Sequence, residues 1–129
     1  LGSDISGGHS PSVLDACRHA LTASRAHSAG VDASLPAASR GGSSAPVTVA
    51  ESLWLATAGG GEAIGLPVGK FAPGFRFDAV LIDTNLPASP IKVWPGIDTL
   101  EETAAKIVLN ASREHIARVW VEGREVLRN

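Results

Sequence analysis

Asp4 is the side chain in this sequence that is best placed for chemistry. It follows a short apolar lead-in within LGSDISGGHSPS and is followed by Gly7, Gly8 and a helix start at Ser10-Pro11. This layout is typical of a strand that ends at the functional face of a sheet and is followed by a sharp turn and a helix. In (β/α)8 barrels the residues at the carboxyl ends of the strands carry the chemistry. We therefore interpret Asp4 as a candidate catalytic residue, with an Asx-turn or a helix cap as the structural alternative.

The remaining chemistry-bearing side chains do not form a recognisable motif. The four histidines are His9, His19, His27 and His115, and they show none of the HxH, HxxxH or HExxH spacings of metal sites. The sequence also lacks the G-x-S-x-G pattern of serine hydrolases. Because a zinc site needs three or four protein ligands, we expect that this chain cannot build a complete one by itself.

Composition and charge limit the classes of partner. The 129 residues include 11 Lys and Arg against 13 Asp and Glu, which argues against a nucleic-acid surface or an anionic-membrane surface. The apolar stretches are far shorter than the roughly 20 residues that a membrane span needs. The single Cys17 excludes an internal disulfide framework and fits a reducing, cytoplasmic compartment. Cys17 lies at helical spacing among apolar residues, so we interpret it as a small buried side chain.

The elements that position Asp4 are predicted from capping signals and periodicity. Leu1 to Ser3 are predicted to end a buried strand, and a helix follows with Ser10 or Ser12 as its cap. A Ser- and Gly-rich loop is expected from 28 to 46. Thr48 with Glu51 forms a capping box that predicts a second helix. The glycine triplet at 59–61 then indicates tight helix packing or a helix break rather than anion binding, with a short helical turn from Glu62 to Leu66.

In the second half of the chain the spacing of the apolar residues changes from helical spacing to alternation. Alternating residues from Phe75 to Ile82 predict a strand that is buried on both faces toward its end, and Ile91 to Trp94 predict a short one. Thr99 and Glu102 predict a third capped helix. The segments Ile116–Val121 and 124–127, joined at Glu122-Gly123, predict a hairpin. This order favours the closing βα unit of a barrel followed by part of a small β-rich domain.

Four segments carry a resemblance to a known family. The block LGSDISGGHSPS resembles the last barrel strand and helix of the guanine deaminases, which belong to the amidohydrolase superfamily. The segment TVAESLWLATAGGGEAIGL resembles a helix of the same family. The segments VGKFAPGFRFDAVLID and IARVWVEGREV resemble the return to the small β domain and its closing hairpin, and these two motifs are shared across many amidohydrolases.

The resemblance implies an α/β fold that is an incomplete domain. Residues 1–68 are expected to be the last βα unit and following helix of a metal-dependent hydrolase barrel, and residues 69–129 part of a small β-sandwich domain with one helix. It implies that the chain is a C-terminal fragment, in keeping with its start at Leu1 rather than Met. The family's histidine ligands, its catalytic Glu and its guanine-contacting residues are expected before position 1, so the fragment alone should be inactive.

The resemblance also implies a chemistry. Asp4 matches the aspartate that binds Zn2+ and relays the proton in that family. Zinc lowers the pKa of a bound water, the carboxylate takes its proton, and attack at C2 of guanine gives xanthine and ammonia. The full-length enzyme is expected to be a homodimer with guanine as its small-molecule substrate.

Two alternatives stay open at this stage. One is a fragment of another amidohydrolase, such as a different purine or pyrimidine deaminase. The other is a stand-alone binding or structural module without catalysis. Because a barrel closes only with all its strands, a fragment is expected to fold poorly, aggregate or oligomerise.

Overall fold

The computed structural model describes residues 1–30, 32–40 and 45–128. Four α-helices occur in these ranges: α1 (Val13–Ser28), α2 (Val49–Ala56), α3 (Ala58–Ala63) and α4 (Leu100–Asn110). Two short 3-10 helices occupy Ala37–Ser39 and Arg113–His115. The three β-strands are β1 (Ala79–Ile82), β2 (Ile116–Val121) and β3 (Arg124–Arg128). The chain is thus a mixed α/β structure, and none of the helices described is long and apolar enough to cross a membrane.

The three longer helices begin at the capping residues that the sequence predicts. Ser12 caps α1 by accepting a hydrogen bond from the Asp15 amide. Thr48 and Glu51 form a complete capping box on α2, and Thr99 and Glu102 form another on α4. These predictions are confirmed because a cap satisfies backbone amides that the first helical turn leaves unpaired, and this needs only local sequence.

The glycine triplet lies inside a helix. Residues 59–61 belong to α3, and the break falls earlier, at Thr57, whose φ and ψ are −125° and −99°. A Cβ at Gly61 would stand 2.6 Å from the carbonyl oxygen of Val68, and one at Gly59 would stand 2.8 Å from the Trp54 ring. The prediction of tight packing is confirmed, whereas a separate helical turn from Glu62 to Leu66 is wrong because α3 ends at Ala63.

The sheet is antiparallel and has the order β1-β2-β3. Ala79 pairs with Trp120 across the first ladder, and Val121 pairs with Arg124 next to the hairpin turn. Glu122 and Gly123 both have positive φ, 50° and 77°, as a type I′ turn requires. The predicted hairpin is therefore confirmed, with β3 extending one residue further, to Arg128.

Three predicted strands differ from the structure. Leu1 to Ser3 form no strand; the nearest pairing is an isolated parallel bridge between Ile5 and Gly8. The strand predicted from Phe75 begins only at Ala79, because the Asp78 amide donates to the carbonyl of Arg76 and keeps the preceding backbone in a turn. It is also not buried on both faces, since Val80 is 55% exposed.

The segment from Ile91 to Trp94 does not form the predicted strand. Side chains take the hydrogen-bonding groups that a neighbouring strand would otherwise occupy. The Ile91 amide donates to Ser89 Oγ, the Lys92 carbonyl accepts from Lys106 Nζ, and the Trp94 amide donates to Asp98. With these three groups bound by side chains, the segment is a loop that Lys106 joins to α4.

The core lies where α1, α2 and α4 meet. Among the residues that the structure describes, the fully buried apolar side chains are Cys17, Leu21, Ile91, Val108 and Ala111. Cys17 Sγ lies 3.5 Å from the carbonyl oxygen of Ser52 on α2. The loop predicted over 28–46 has Ser28 inside α1 and a 3-10 turn at Ala37–Ser39, while residues 31 and 41–44 lie outside the described ranges.

Candidate functional site

Asp4 lies in a closed glycine loop directly before α1. Its backbone has a φ of 47°, in the left-handed region that Asp tolerates better than most residues. Its carbonyl oxygen accepts hydrogen bonds from the amides of Gly7, at 2.9 Å, and of Gly8. A Cβ at Gly8 would overlap the carbonyl oxygen of Ser3, so the loop can close this tightly only with glycine there. The loop around Asp4 is therefore held closed by its own hydrogen bonds.

The Asp4 carboxylate is exposed and has no hydrogen bond or ion pair with any described side chain or backbone group. It extends over Gly7, where an added Cβ would stand 2.8 Å from Asp4 Oδ2. An ionised carboxylate can act as a metal ligand or as a proton acceptor when its lone pairs are not used elsewhere. Both oxygens of Asp4 are available for that role.

The described residues do not make up a metal site by themselves. In residues 1–30, 32–40 and 45–128, no group of three or more His, Cys, Asp or Glu side chains is placed to hold an ion. A zinc site needs three or four protein ligands. Asp4 would supply one carboxylate ligand, and the rest of the set does not come from these ranges.

A cleft of about 260 Å³ separates the first residues of the chain from α1. The rings of His9 and His19 meet there with their centroids 5.1 Å apart and their planes tilted by 41°. Asp4 does not line this cleft. The lining residues are Leu1, Gly2, Ser3, His9, Ser10, Ala16, His19 and Ala20.

The Asp4 loop is joined to α1 by a charged network that the sequence analysis missed. Ser10 Oγ donates to Asp15 Oδ2 at 2.6 Å, and Arg18 Nη1 donates to Asp15 Oδ1 at 2.6 Å. The Ser10 hydrogen bond, assisted by the charge of Arg18, holds the pKa of the Asp15 carboxyl below its usual value even though burial opposes this shift. Only the spacing of Asp15 and Arg18, three apart on a helix, was a signal in the sequence.

Other side chains that could carry chemistry have structural roles. Asp78 accepts the amide of Glu122 at 2.7 Å and so supports the hairpin turn. Asp83 accepts the amide of Asn85, as in an Asx-turn. Cys17 is fully buried, and desolvation raises the pKa of its thiol. His115 is 1% exposed and is hydrogen-bonded at both ring nitrogens.

Comparisons with known proteins match a single family over nearly the whole chain. The model of the Amidohydrolase family matches residues 1–126. The chain is 36% identical over 129 residues to a probable guanine deaminase of Schizosaccharomyces pombe, covering 98% of this chain and 23% of that protein. It is 30% identical to the guanine deaminase of Dictyostelium discoideum and 33% identical to that of Homo sapiens, covering 98% of this chain and 26% and 27% of those proteins.

A solved structure agrees with these relatives. The crystal structure of a guanine deaminase from C. acetobutylicum with guanine bound in its active site superposes with a TM-score of 0.75 at 27% sequence identity. The match covers 98% of this chain and 26% of that one. The resemblance predicted from the sequence is thereby confirmed, and the chain spans about a quarter of the length of these relatives.

Proposed function

Because this chain belongs to the amidohydrolase family, we propose that it is part of a guanine deaminase, which hydrolyses guanine to xanthine and ammonia. The observation that carries the proposal is the similarity to guanine deaminases over 98% of the chain. The relatives span an amoeba, a yeast and mammals. The remaining three quarters of such an enzyme would supply the guanine pocket.

Asp4 is the residue of this chain that takes part in the reaction. Amidohydrolases generally use a divalent metal ion, and zinc, when bound, makes a water molecule acidic enough to lose a proton near neutral pH. The Asp4 carboxylate would contribute one ligand to that ion and would accept the proton. Its exposure and its lack of a hydrogen-bond partner among the described residues leave it able to do both.

The proposed domain organisation follows from the assignment to a guanine deaminase. Residues 1–68 are the end of the catalytic barrel, and residues 69–129 are part of a small β-sandwich domain. Alone, the 129 residues are inactive because the described ranges hold too few metal ligands. The full-length enzyme is a cytoplasmic homodimer with guanine as its substrate, and the single free cysteine of this chain is compatible with a reducing compartment.

The test is an assay of the full-length protein that contains this chain. Ammonia release from guanine and zinc content are measured for wild type, for Asp4→Asn and for Asp32→Asn. Asp32 is an exposed loop aspartate that accepts a hydrogen bond from Ser34 and serves as the matched control. Asp4→Asn should lose about 10²–10⁴-fold in kcat, the usual contribution of a proton-transferring group, whereas Asp32→Asn should match wild type.

Each other outcome refutes a defined part of the proposal. Full activity of Asp4→Asn would show that Asp4 is a structural residue of the turn and takes no part in catalysis. Deamination of another purine or pyrimidine base, without activity on guanine, would refute guanine as the substrate but would still support a hydrolytic deaminase. Activity of the isolated 129 residues would show that the metal ligands need not come from elsewhere.

A further inference from the structure

The end of α4 is held by a side chain from α1. Arg18 Nε donates to the carbonyl oxygen of Val108 at 2.8 Å, and Arg18 Nη2 donates to that of Ala111 at 2.5 Å. These carbonyls lie in the last turn of α4 and at its cap, where helical partners are missing. The amide of Ser112, which would continue the helix by donating to Val108, donates instead to His115 Nδ1. Arg18 therefore satisfies groups that the end of the helix leaves open.

The third nitrogen of Arg18 binds a residue of α1 that is itself bonded to Ser10, close to the Asp4 loop. Nη1 binds Asp15 Oδ1, and the second oxygen of Asp15 accepts the hydroxyl of Ser10. Ser10 Oγ also accepts the amide of Ser12, the cap of α1, at 3.1 Å. Ser10 lies two residues after Gly8, whose amide is bound to the carbonyl of Asp4. A chain of hydrogen bonds therefore runs from the end of α4 to Ser10, and two peptide bonds join Ser10 to Gly8 in the loop that carries Asp4.

We infer that Ser10, Asp15 and Arg18 are positioning residues for Asp4, and that they transmit the fixed position of α4 to the glycine loop. This inference rests on the proposed function of Asp4. Catalytic groups need to be held within about 0.5 Å of their productive position. The loop has glycines at two of its positions and an exposed backbone, so its own hydrogen bonds close it but do not orient it on the helix. The planar guanidinium of Arg18 suits this role because it presents several donors in a fixed geometry.

The decisive variant is Ser10→Ala in the full-length protein. It removes the hydroxyl that joins the loop to Asp15, while Arg18 keeps its contacts with α4. Hydrogen exchange at the Gly7 and Gly8 amides should accelerate about tenfold, since these amides report closure of the loop directly. The kcat for guanine should fall about tenfold with KM within about twofold, since a displacement of about 1 Å costs about 10²-fold in rate.

Two further variants and a control separate positioning from general stability. Ser10→Thr keeps a hydroxyl and should restore most of the kcat and of the exchange protection. Arg18→Lys keeps the charge but cannot reach Val108, Ala111 and Asp15 together, so it should reproduce the effects of Ser10→Ala and also lower Tm. The control Ser28→Ala removes a hydroxyl from the other end of α1, where it bonds only to its own helix, and should match wild type.

The outcomes distinguish this inference from the proposed function. If Ser10→Ala leaves both the exchange at Gly7 and Gly8 and the kcat at the wild-type values, the inference is wrong, whatever happens to Tm. If wild type releases no ammonia from guanine, the proposed function fails, and the exchange measurement still decides whether Ser10 holds the loop. If exchange accelerates while kcat stays constant, loop position does not matter for the reaction and the inference is also overturned.

Discussion

The Nε2 atom of His115 lies 3.0 Å from the hydroxyl oxygen of Ser89, and both side chains are buried. His115 Nδ1 accepts the amide of Ser112 at 3.1 Å, so the proton of a neutral ring resides on Nε2 and is donated to Ser89. Ser89 Oγ in turn accepts the amide of Ile91 at 3.0 Å. This buried polar chain links the loop before α4 to the turn before β2.

Removing the hydroxyl of Ser89 should destabilise the protein more than a typical serine substitution. Ser89→Ala leaves the His115 ring and the Ile91 amide without a buried partner, and an unsatisfied buried polar group costs about 1–3 kcal/mol. Urea unfolding of the full-length protein measures this cost, with Ser28→Ala as an exposed control. Adding His115→Leu to Ser89→Ala should cost less than the sum of the two single changes. Strict additivity would contradict the pairing.

The glycines of α3 should respond in opposite ways to alanine. Gly61→Ala places a Cβ 2.6 Å from the Val68 carbonyl oxygen and should lower the free energy of unfolding by about 1–3 kcal/mol. Gly60→Ala meets only the Leu55 carbonyl oxygen, at 3.4 Å, and should be neutral or stabilising by up to about 1 kcal/mol, because alanine favours helix. Both are measured by thermal unfolding. Equal effects at the two positions would show that packing around Gly61 is looser than the structure has it.

The predictions from sequence succeeded where the determining chemistry is local. Thr48 with Glu51, Thr99 with Glu102, and Glu122-Gly123 each fix an element with partners three or fewer residues away. Apart from the helical turn predicted from Glu62 to Leu66, the failures are strands. A strand needs a partner, and neither Ile91 to Trp94 nor Leu1 to Ser3 finds one in the described ranges. Side chains take three of the backbone groups of Ile91 to Trp94, and the amino group of Leu1 donates to the carbonyl of Leu55 in α2.

The candidate site likewise combines local features that could be predicted from the sequence with long-range contacts that could not. The glycine loop after Asp4 could be predicted because Gly7 and Gly8 signal a sharp turn within a few residues. The contact of Arg18 with Val108 joins residues 90 positions apart, and no local sequence pattern predicts it. Likewise, the buried hydrogen bonds of His115 depend on Ser89, 26 positions away, so its spacing in the sequence gave no indication of them.

Asp15 should make stability depend on pH in the acidic range. Its folded-state pKa is lowered, chiefly by the Ser10 hydroxyl, so the fold favours the ionised form. This stability is present above the ordinary value of 3.8 and is lost as pH falls through the folded-state pKa. The difference in unfolding free energy between wild type and Asp15→Asn should therefore be largest near neutral pH and should shrink as pH falls through the folded-state pKa of Asp15. A difference that stays constant with pH would contradict this assignment.

Cys17 should be inert toward thiol reagents in the folded protein. It is fully buried between α1 and α2, and burial raises the pKa of its thiol, which lowers the reactive thiolate fraction. Alkylation followed by peptide mass spectrometry should modify it only in denaturant. In a Cys17→Ala background, Ala23→Cys on the exposed side of α1 should react rapidly without denaturant. Rapid modification of native Cys17 would show that the α1–α2 contact opens readily.

The 129 residues expressed alone should aggregate or self-associate. Only five apolar side chains in the described ranges are fully buried, whereas Phe71, Ile97 and Leu100 are 75%, 76% and 82% exposed. Apolar surface of this kind drives association unless another part of a protein covers it. Size-exclusion chromatography with light scattering should show species larger than 13.2 kDa that bind a hydrophobic dye. Replacing Ile97 and Leu100 with Gln should reduce their size, because both changes remove exposed apolar area without touching the core. A monomer with a sharp, cooperative thermal transition would instead show that the three-helix core suffices for stability on its own.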